Sequence, residues 1–342
     1  MKLTVGFLTY REISSKYLRD FLPSLEAALD FLSPSDYQVV AFDNSPAADR
    51  SNFSLLESFN VGTLSSAAGA SLIPKPRQAF QYRTEGENLG FSRAYNILIS
   101  FAVAAGAEYF LVINPDTVIE PDSLKKLVDA LEADGNLASV APKIRRWDFD
   151  QREKTGFIDS AGLILKPGLK FYDLGQGEKD RGQFDKALII GPSGAAGLFR
   201  LSALTDVAEN KKGKDGAQYF DEHFFMYKED CDLDYRIFLA GHESRLVPEA
   251  LIYHDRSAAS SGTGLSSVLR DRRQKSRQIR TWSFINQHLI FVKHWKKQNM
   301  ASKMIISFQV LAMFIFSLIL EQFLLKSYFS INKLSKGLTN IK

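Results

Sequence analysis

Apolar residues fall along this chain in blocks of two kinds, short unbroken runs and longer stretches at helical spacing. Lys2–Leu8 is a short apolar run suited to a buried strand, and Tyr37–Phe42 is another. Between them, Leu18, Phe21, Leu22, Leu25, Leu29 and Leu32 recur at helical spacing over Ser15–Leu32. Phe91–Ala105 reads as a helix, Tyr109–Ile113 as a strand, and Pro121–Leu131 as a helix opened by proline. Strand and helix in alternation predict a parallel α/β sheet. Such sheets bind ligands beyond the carboxyl ends of their strands. The polar residues just after the apolar runs are therefore the ones to inspect: Thr9-Tyr10-Arg11, Asp43-Asn44-Ser45 and Asn114-Pro115-Asp116. Residues 145–184 are rich in Gly, Lys and Asp and read as hairpins and loops. Lys186–Ile190 resumes as a strand that enters the small-residue turn GPSGAAGLFR.

From Gly264 the pattern turns helical and basic, and it changes again at Met304. Met304–Leu320 has no charged residue in 17 positions. As a helix it would be about 25 Å long, the lower limit for crossing the hydrocarbon core. The net charge of +4 conceals an asymmetry, because residues from Arg270 onward carry 14 Lys and Arg against two acids, Asp271 and Glu321. The preceding part holds 29 basic and 37 acidic residues. A basic tail interleaved with apolar runs suits an anionic membrane surface, whereas a nucleic-acid binder would need an RNA-binding motif that the chain lacks. A buried helix or a dimer interface is the other reading of Met304–Leu320, so a homo-oligomer stays open. At 342 residues, 45% apolar and 24% charged, the chain can fold as one large domain or two. A single cysteine, Cys231, rules out an intrachain disulfide and fits a reducing compartment. The start MKLTVGFLTY reads as a strand rather than a secretory signal.

No GxGxxG, GxxxxGK[ST] or GxSxG occurs, and one Cys with five scattered His cannot make a structural zinc site. A hard cation on oxygen ligands is compatible with the composition. The richest segment is FDEHFFMYKEDCDLDYR at 220–236, where Asp221, Glu222, Glu229, Asp230, Asp232 and Asp234 crowd against aromatics. That crowding raises the cost of ionising a carboxyl, one way to make a general base; a solvated acidic helix start is the plainer alternative. Asp116, at the ligand edge after a strand, could hold Mg²⁺ or Mn²⁺ against a diphosphate, with Pro115 stiffening the turn; Asn-Pro-Asp also makes ordinary turns. His254 is by itself a surface histidine, a metal ligand or a phosphate contact.

Read in order, these pieces resemble an inverting glycosyltransferase of family 2, closest to the bacterial rhamnosyltransferase-like branch. The resemblance rests on FLTYR (7–11), AFDNS (41–45), ENLGFSRAYN (87–96), LVINPDT (111–117), GPSGAAGLFR (191–200), FDEHFFMYKEDCDLDYRIFLAG (220–241) and YHDRS (253–257). It covers about residues 1–260. It implies a GT-A fold, a Rossmann-like mixed sheet flanked by helices, over 1–260. A basic helical region (261–300) and membrane-associating helices (301–342) would follow.

The resemblance also implies roles. Thr9, Tyr10 and Asp43 would line the nucleotide pocket, with Arg11 and Asn114 beside it. Asn88, Gly90 and Asn96 would sit at the ribose and diphosphate. Asp116 would hold Mg²⁺ or Mn²⁺ on the diphosphate and His254 would complete that site. Asp230 would be the catalytic base, with Glu229 as the substitute for that role. Gly194 and Gly197 would floor the acceptor site, and Asp221 would orient the acceptor. Two departures stand out: Asn114 replaces the first Asp of the common Asp-x-Asp, and Arg11 stands where Asn is frequent. The expected partners are a nucleotide-diphospho-sugar, dTDP-L-rhamnose or else a UDP-sugar, and a glycan or lipid-linked acceptor. The expected setting is cell-surface polysaccharide (O-antigen) synthesis at the cytoplasmic face of the inner membrane. A catalytically silent nucleotide-sugar-binding scaffold is the alternative.

Overall fold

The computed structural model describes residues 2–61, 80–209, 216–256, 272 and 275–339. Part of the basic region expected at 261–300 (261–271, 273 and 274), and Ser257 of YHDRS, therefore lie outside the described residues.

Strand β4 (Tyr109–Ile113) shows how the sequence builds the layers. Its alternate side chains Tyr109, Leu111 and Ile113 enter one core, and Phe110 and Val112 enter the other. A strand buried on both faces must be apolar throughout, and this one is. On the first face lie α1 (Arg11–Leu29) and α4 (Ser123–Ala133). On the second lie α3 (Gly90–Ala104), α5 (Leu201–Val207) and α6 (Glu229–Leu239). Helix α2 (Phe53–Val61) leads to the edge strand β3 (Phe80–Thr84).

Strands β3, β2 (Tyr37–Asp43), β1 (Leu3–Thr9) and β4 are parallel neighbours, as the alternation predicts. The other half of the sheet is mixed. Strand β10 (Ala196–Arg200) runs antiparallel to β4 and to β6 (Leu137–Asp148). Strand β11 (Glu243–His254) is parallel to β6, and β5 (Thr117–Ile119) is antiparallel to β11. Strand β7 (Glu153–Ser160) pairs with β6, and β8 (Leu163–Lys166) with β9 (Lys170–Asp173) forms a separate hairpin.

Three local expectations fail for identifiable reasons. The predicted strand Lys186–Ile190 is a loop with one bridge, Leu188 to Arg245, and Leu188 is 93% exposed. The strand is instead Ala196–Arg200, inside the segment read as a turn; its Gly and Ala content hid it. Pro121 stands ahead of α4 rather than in its first turn.

Among the described residues, three longer helices follow the sheet: α7 (Arg277–His294), α8 (Met300–Ile319) and α9 (Ser327–Thr339). Leu289, Ile290 and Phe291 of α7 and Ile306 of α8 pack with Cys231 and Tyr235 of α6 and Leu163 of β8. The C-terminal helices thus sit directly against the helix that carries the acidic motif.

Candidate active site

The strand ends collect the candidate residues into three corners of one sheet edge. The first is at β1 and β2, whose last residues Thr9 and Asp43 are in register. Asp43 is buried; its carboxylate accepts Ser45 N–H at 3.1 Å and the Tyr82 hydroxyl at 3.0 Å. Burial and the Asp43 charge push Tyr82 up to about 12. Thr9 Oγ1 is buried without a partner. Tyr10 stands at the N-cap of α1, and Ser14 Oγ accepts its N–H at 2.8 Å. Arg11 takes φ +49° and donates its N–H to Ser45 Oγ at 2.6 Å, its guanidinium over the Tyr10 ring. Beside Asp43 a cleft of about 230 Å³ opens between Ser45, Arg50, Phe53, Tyr82 and Thr84.

The second corner forms because β5 returns antiparallel to β11, setting His254 opposite Thr117. Asp255 N–H donates to the Asp116 carbonyl at 3.0 Å, and Thr117 Oγ1 closes the turn on the Asn114 carbonyl at 2.6 Å. Asp116 Oδ2 then lies 3.4 Å from His254 Nε2, while Asp116 Oδ1 is buried with no partner. The other imidazole nitrogen, Nδ1, is 2.8 Å from Asp159 Oδ2, and Asp159 is fully buried. Burial alone would lower the His254 pKa, but the Asp116 and Asp159 carboxylates outweigh it and raise it to about 10. A carboxylate with one oxygen orphaned and the other beside an imidazole whose far side is held by a buried carboxylate is the donor arrangement of a divalent-cation site. Asp116 and His254 fit such an ion, with Asp159 as the outer partner. Arg256 closes the corner, 3.1 Å from Asp159 Oδ1 and 2.7 Å from Asp173 Oδ2.

The third corner is the start of α6. Asp230 accepts Cys231 N–H at 2.7 Å and Gly194 N–H at 3.0 Å. Gly194 precedes Ala195, whose carbonyl accepts Asn114 N–H at 2.9 Å. Asp230 and Asp116 are thus joined through two backbone contacts on neighbouring strand ends. Burial works against the Arg256 charge, and Asp173, Asp159 and Asp230 together sustain it, which places Asp230 within electrostatic reach of the second corner. Glu229, beside it, is buried with Oε2 unpartnered. Burial and the Asp230 charge push its pKa well above the usual carboxylate range. With its ionised form disfavoured and one oxygen orphaned, Glu229 is the less exposed of the two carboxyls, and Asp230 is the one bound at the sheet edge. Asp234, one turn on, is likewise fully buried with both oxygens unpartnered, and burial raises it strongly. It does not pair with Arg236.

Several expected ligand contacts are internal struts instead. Asn96 is buried; its amide accepts the N–H groups of Tyr219 and Phe220 and donates to Phe220 O and Glu222. It stitches α3 to the acidic loop and has nothing left for ribose. Asp221 is also buried, bonded to His223 and to Lys293 Nζ at 2.6 Å, and so is not presented to an acceptor. Asp232 is no solvated cap: Lys293, Arg236 and His294 hold it. Gly197 is inside β10, where a Cβ would come within 2.4 Å of Pro192, so it lines no acceptor floor. Asn88 is exposed and turns back on Gly90 N–H at 2.9 Å. Gly90 needs its φ of +76°, and a Cβ there would meet the Phe225 carbonyl at 2.4 Å, so the required close approach is to the loop of the base.

Glu209, Asp221 and Asp232 lie close enough to suggest a second cation site. The Lys293 ammonium already fills it, at 2.8, 2.6 and 2.8 Å from the three carboxylates. Lys293→Met should therefore leave buried charges unpaired and destabilise the fold by about 3–5 kcal/mol, read by urea denaturation.

Sequence reading missed Asp159, Arg256 and Asn286. Asp159 is the next-to-last residue of β7, in a stretch read as hairpins and loops, although a carboxylate just after an apolar pair was visible there. Asn286, on α7, donates from its amide to the carbonyls of Met226 (2.8 Å) and Tyr227 (2.7 Å). Tyr227 and Lys228 take φ of +75° and +68° immediately before Glu229-Asp230. Two consecutive non-glycine residues in that region are costly, and Asn286 with the Trp282–Phe225 contact at 5.0 Å holds them.

The layered mixed sheet with its ligand edge is the GT-A fold. It aligns with a mannosyltransferase from Pyrobaculum calidifontis, solved in complex with GDP-Man and Mn²⁺, at a TM-score of 0.52 and 16% identity, over 96% of this chain and 73% of that one. Residues 4–207 match Glycosyl transferase family 2, and the chain belongs to that family. Curated relatives from two Mycobacterium tuberculosis strains, each named N-acetylglucosaminyl-diphospho-decaprenol L-rhamnosyltransferase, are 29% identical over 201 residues, 54% of this chain. The match spans 61% of those relatives' length.

Proposed function

We propose that this protein transfers a sugar, L-rhamnose from its dTDP derivative, to a lipid-linked glycan acceptor with inversion at the anomeric carbon, in cell-surface polysaccharide synthesis. One observation carries the reading: Asp116 with His254 and Asp230 meet at one sheet edge, joined through Asn114, Ala195 and Gly194. The sugar and the lipid diphosphate come from the names of the curated relatives.

A divalent ion on Asp116 and His254 would neutralise charge on the departing diphosphate. The chain's own residues do the rest. Asp43 and the cleft beside Tyr82 take the base and ribose. Asp230, held by two backbone N–H groups, stands ready to accept the acceptor hydroxyl's proton as that oxygen attacks. Single displacement needs no nucleophilic carboxylate. Asn286 keeps the loop before Asp230 in its costly conformation.

The test is nucleotide release by the purified full chain against a panel of nucleotide sugars, with Mg²⁺ or Mn²⁺ and a prenyl-diphosphate-linked acceptor. Rapid release with dTDP-L-rhamnose and an inverted product by NMR supports the reading. A UDP-sugar as the sole donor overturns the rhamnosyl assignment. Asn286→Ala should lower kcat on the order of tenfold and leave the donor KM nearly unchanged, because it frees a strain of about 1–3 kcal/mol before the base. Steady-state kinetics at saturating acceptor reads that split.

A further inference from the structure

Helix α8 is long and apolar enough to cross a bilayer, yet its two faces have different surroundings. Ile306 and Ser317 are buried, and Val310 and Met313 pack against the body of the protein. Gln309 Nε2 donates to the Gly168 carbonyl at 2.8 Å, and a Cβ on Gly168 would come within 2.4 Å of Ile305. The β8–β9 turn is therefore seated on the middle of the helix. A span surrounded by lipid would carry that polar hairpin into hydrocarbon, where its backbone groups have no water.

The opposite face is bare. Met304, Phe308, Leu311, Ile315, Leu318 and Ile319 recur at helical spacing and are exposed, Phe308 by 68% and Ile319 by 70%. Charge frames this stripe on one side of the scale only. Lys296 and Lys297 precede the helix and Lys326 and Lys333 follow it, all exposed, and Lys303 lies over the half-exposed Trp295 ring at 5.9 Å. The one acid from residue 295 to 339, Glu321, is turned inward onto Arg272 at 2.5 Å and Arg280 at 2.8 Å. An apolar stripe, exposed lysines before and after it and a half-exposed tryptophan are complementary to the headgroup boundary of an anionic leaflet.

We propose that α8 is a membrane-docking surface that lies in the plane of an anionic leaflet, half embedded, and does not span the bilayer. Because Ile306 of α8 shares a core with Cys231 and Tyr235 of α6, the helix that carries Asp230, docking would hold the cleft at a fixed height above the leaflet, where a lipid-linked diphosphate lies.

The test uses the purified full chain and vesicles of phosphatidylethanolamine with phosphatidylglycerol, or of phosphatidylcholine alone. Wild type should float with the anionic vesicles, and Leu311→Asp combined with Ile315→Asp should lower the bound fraction at least tenfold. Equal flotation on the neutral vesicles overturns the anionic assignment. An environment-sensitive fluorophore on a cysteine placed at Met304, Leu311 or Leu318 in turn reads depth; Cys231 is buried and leaves the new thiol as the reactive one. Equal, shallow quenching at all three positions is the expected result. Deep quenching at 311 with 304 and 318 near opposite surfaces means a span and overturns the proposal. So does absence of flotation with cross-linking between copies at 311, which makes the stripe a dimer face. No arm depends on turnover, so failure here is distinct from failure of the catalytic reading.

Discussion

Asp230→Asn is expected to lower turnover by about 10²–10⁴-fold, the usual contribution of a positioned general base, with donor affinity nearly unchanged. Asp230 is bound through its oxygens to Gly194 and Cys231 N–H groups, so an amide of the same shape occupies the place without emptying it. What the amide lacks is the capacity to take a proton. Glu229→Gln is the matched control, because burial and the Asp230 charge disfavour the ionised form of Glu229, and a neutral amide resembles its protonated form. Its turnover should stay within a few-fold of wild type. Single-turnover transfer, with donor binding measured by calorimetry, separates the two. If the Glu229 variant is dead and the Asp230 variant active, the assignment of the base is wrong.

Asp116→Ala should cost nearly as much, on the order of 10³-fold, because stabilising the leaving diphosphate is worth several kcal/mol. Unlike the first variant, it should also weaken donor binding. Asp159→Asn, which leaves Asp116 and His254 in place, should weaken Mn²⁺ binding by about 10–100-fold by loosening the imidazole. The charge arrangement fixes a pH dependence as well. His254 without a metal keeps its proton up to about pH 10, and an ion must displace that proton. Mn²⁺ affinity should therefore rise with pH up to about 10, with proton release visible as a buffer-dependent heat. For the metal-free fold the sign is opposite. A His254 pKa raised from 6.5 to about 10 contributes stability that is full below pH 6.5 and lost as pH rises through 10. Denaturation midpoints of wild type and His254→Gln should converge over that interval.

The strands at the ligand edge were readable because each is a short apolar run ending in a polar triplet; Tyr109–Ile113 was read to the residue. Strand β10 was not readable, since Ala196, Gly197 and Leu198 lack the bulk that marks a strand, although β4 and β6 flank it on both sides. The candidate site divides the same way. Asp43, Asp116, Asp230 and His254 sit where a ligand edge demands. Asn96 and Asp221 do not, because a polar side chain that ties a loop to a helix has the same spelling as one that faces a substrate; Gly197 does not, because it is packed against Pro192 inside β10. Lys293, more than sixty residues from Asp221 and Asp232, decides that those acids are struts. No local pattern in the chain announces such a distant partner.

The central claim is the position of the cation relative to the base. Crystals of the full chain grown with Mn²⁺ and dTDP, measured at a wavelength where manganese scatters anomalously, locate the ion without assumption. The account predicts a single strong peak within coordination distance of the Asp116 carboxylate and His254 Nε2, on the Asp230 side of the sheet edge. A peak among Glu209, Asp221 and Asp232 with Lys293 displaced would contradict it.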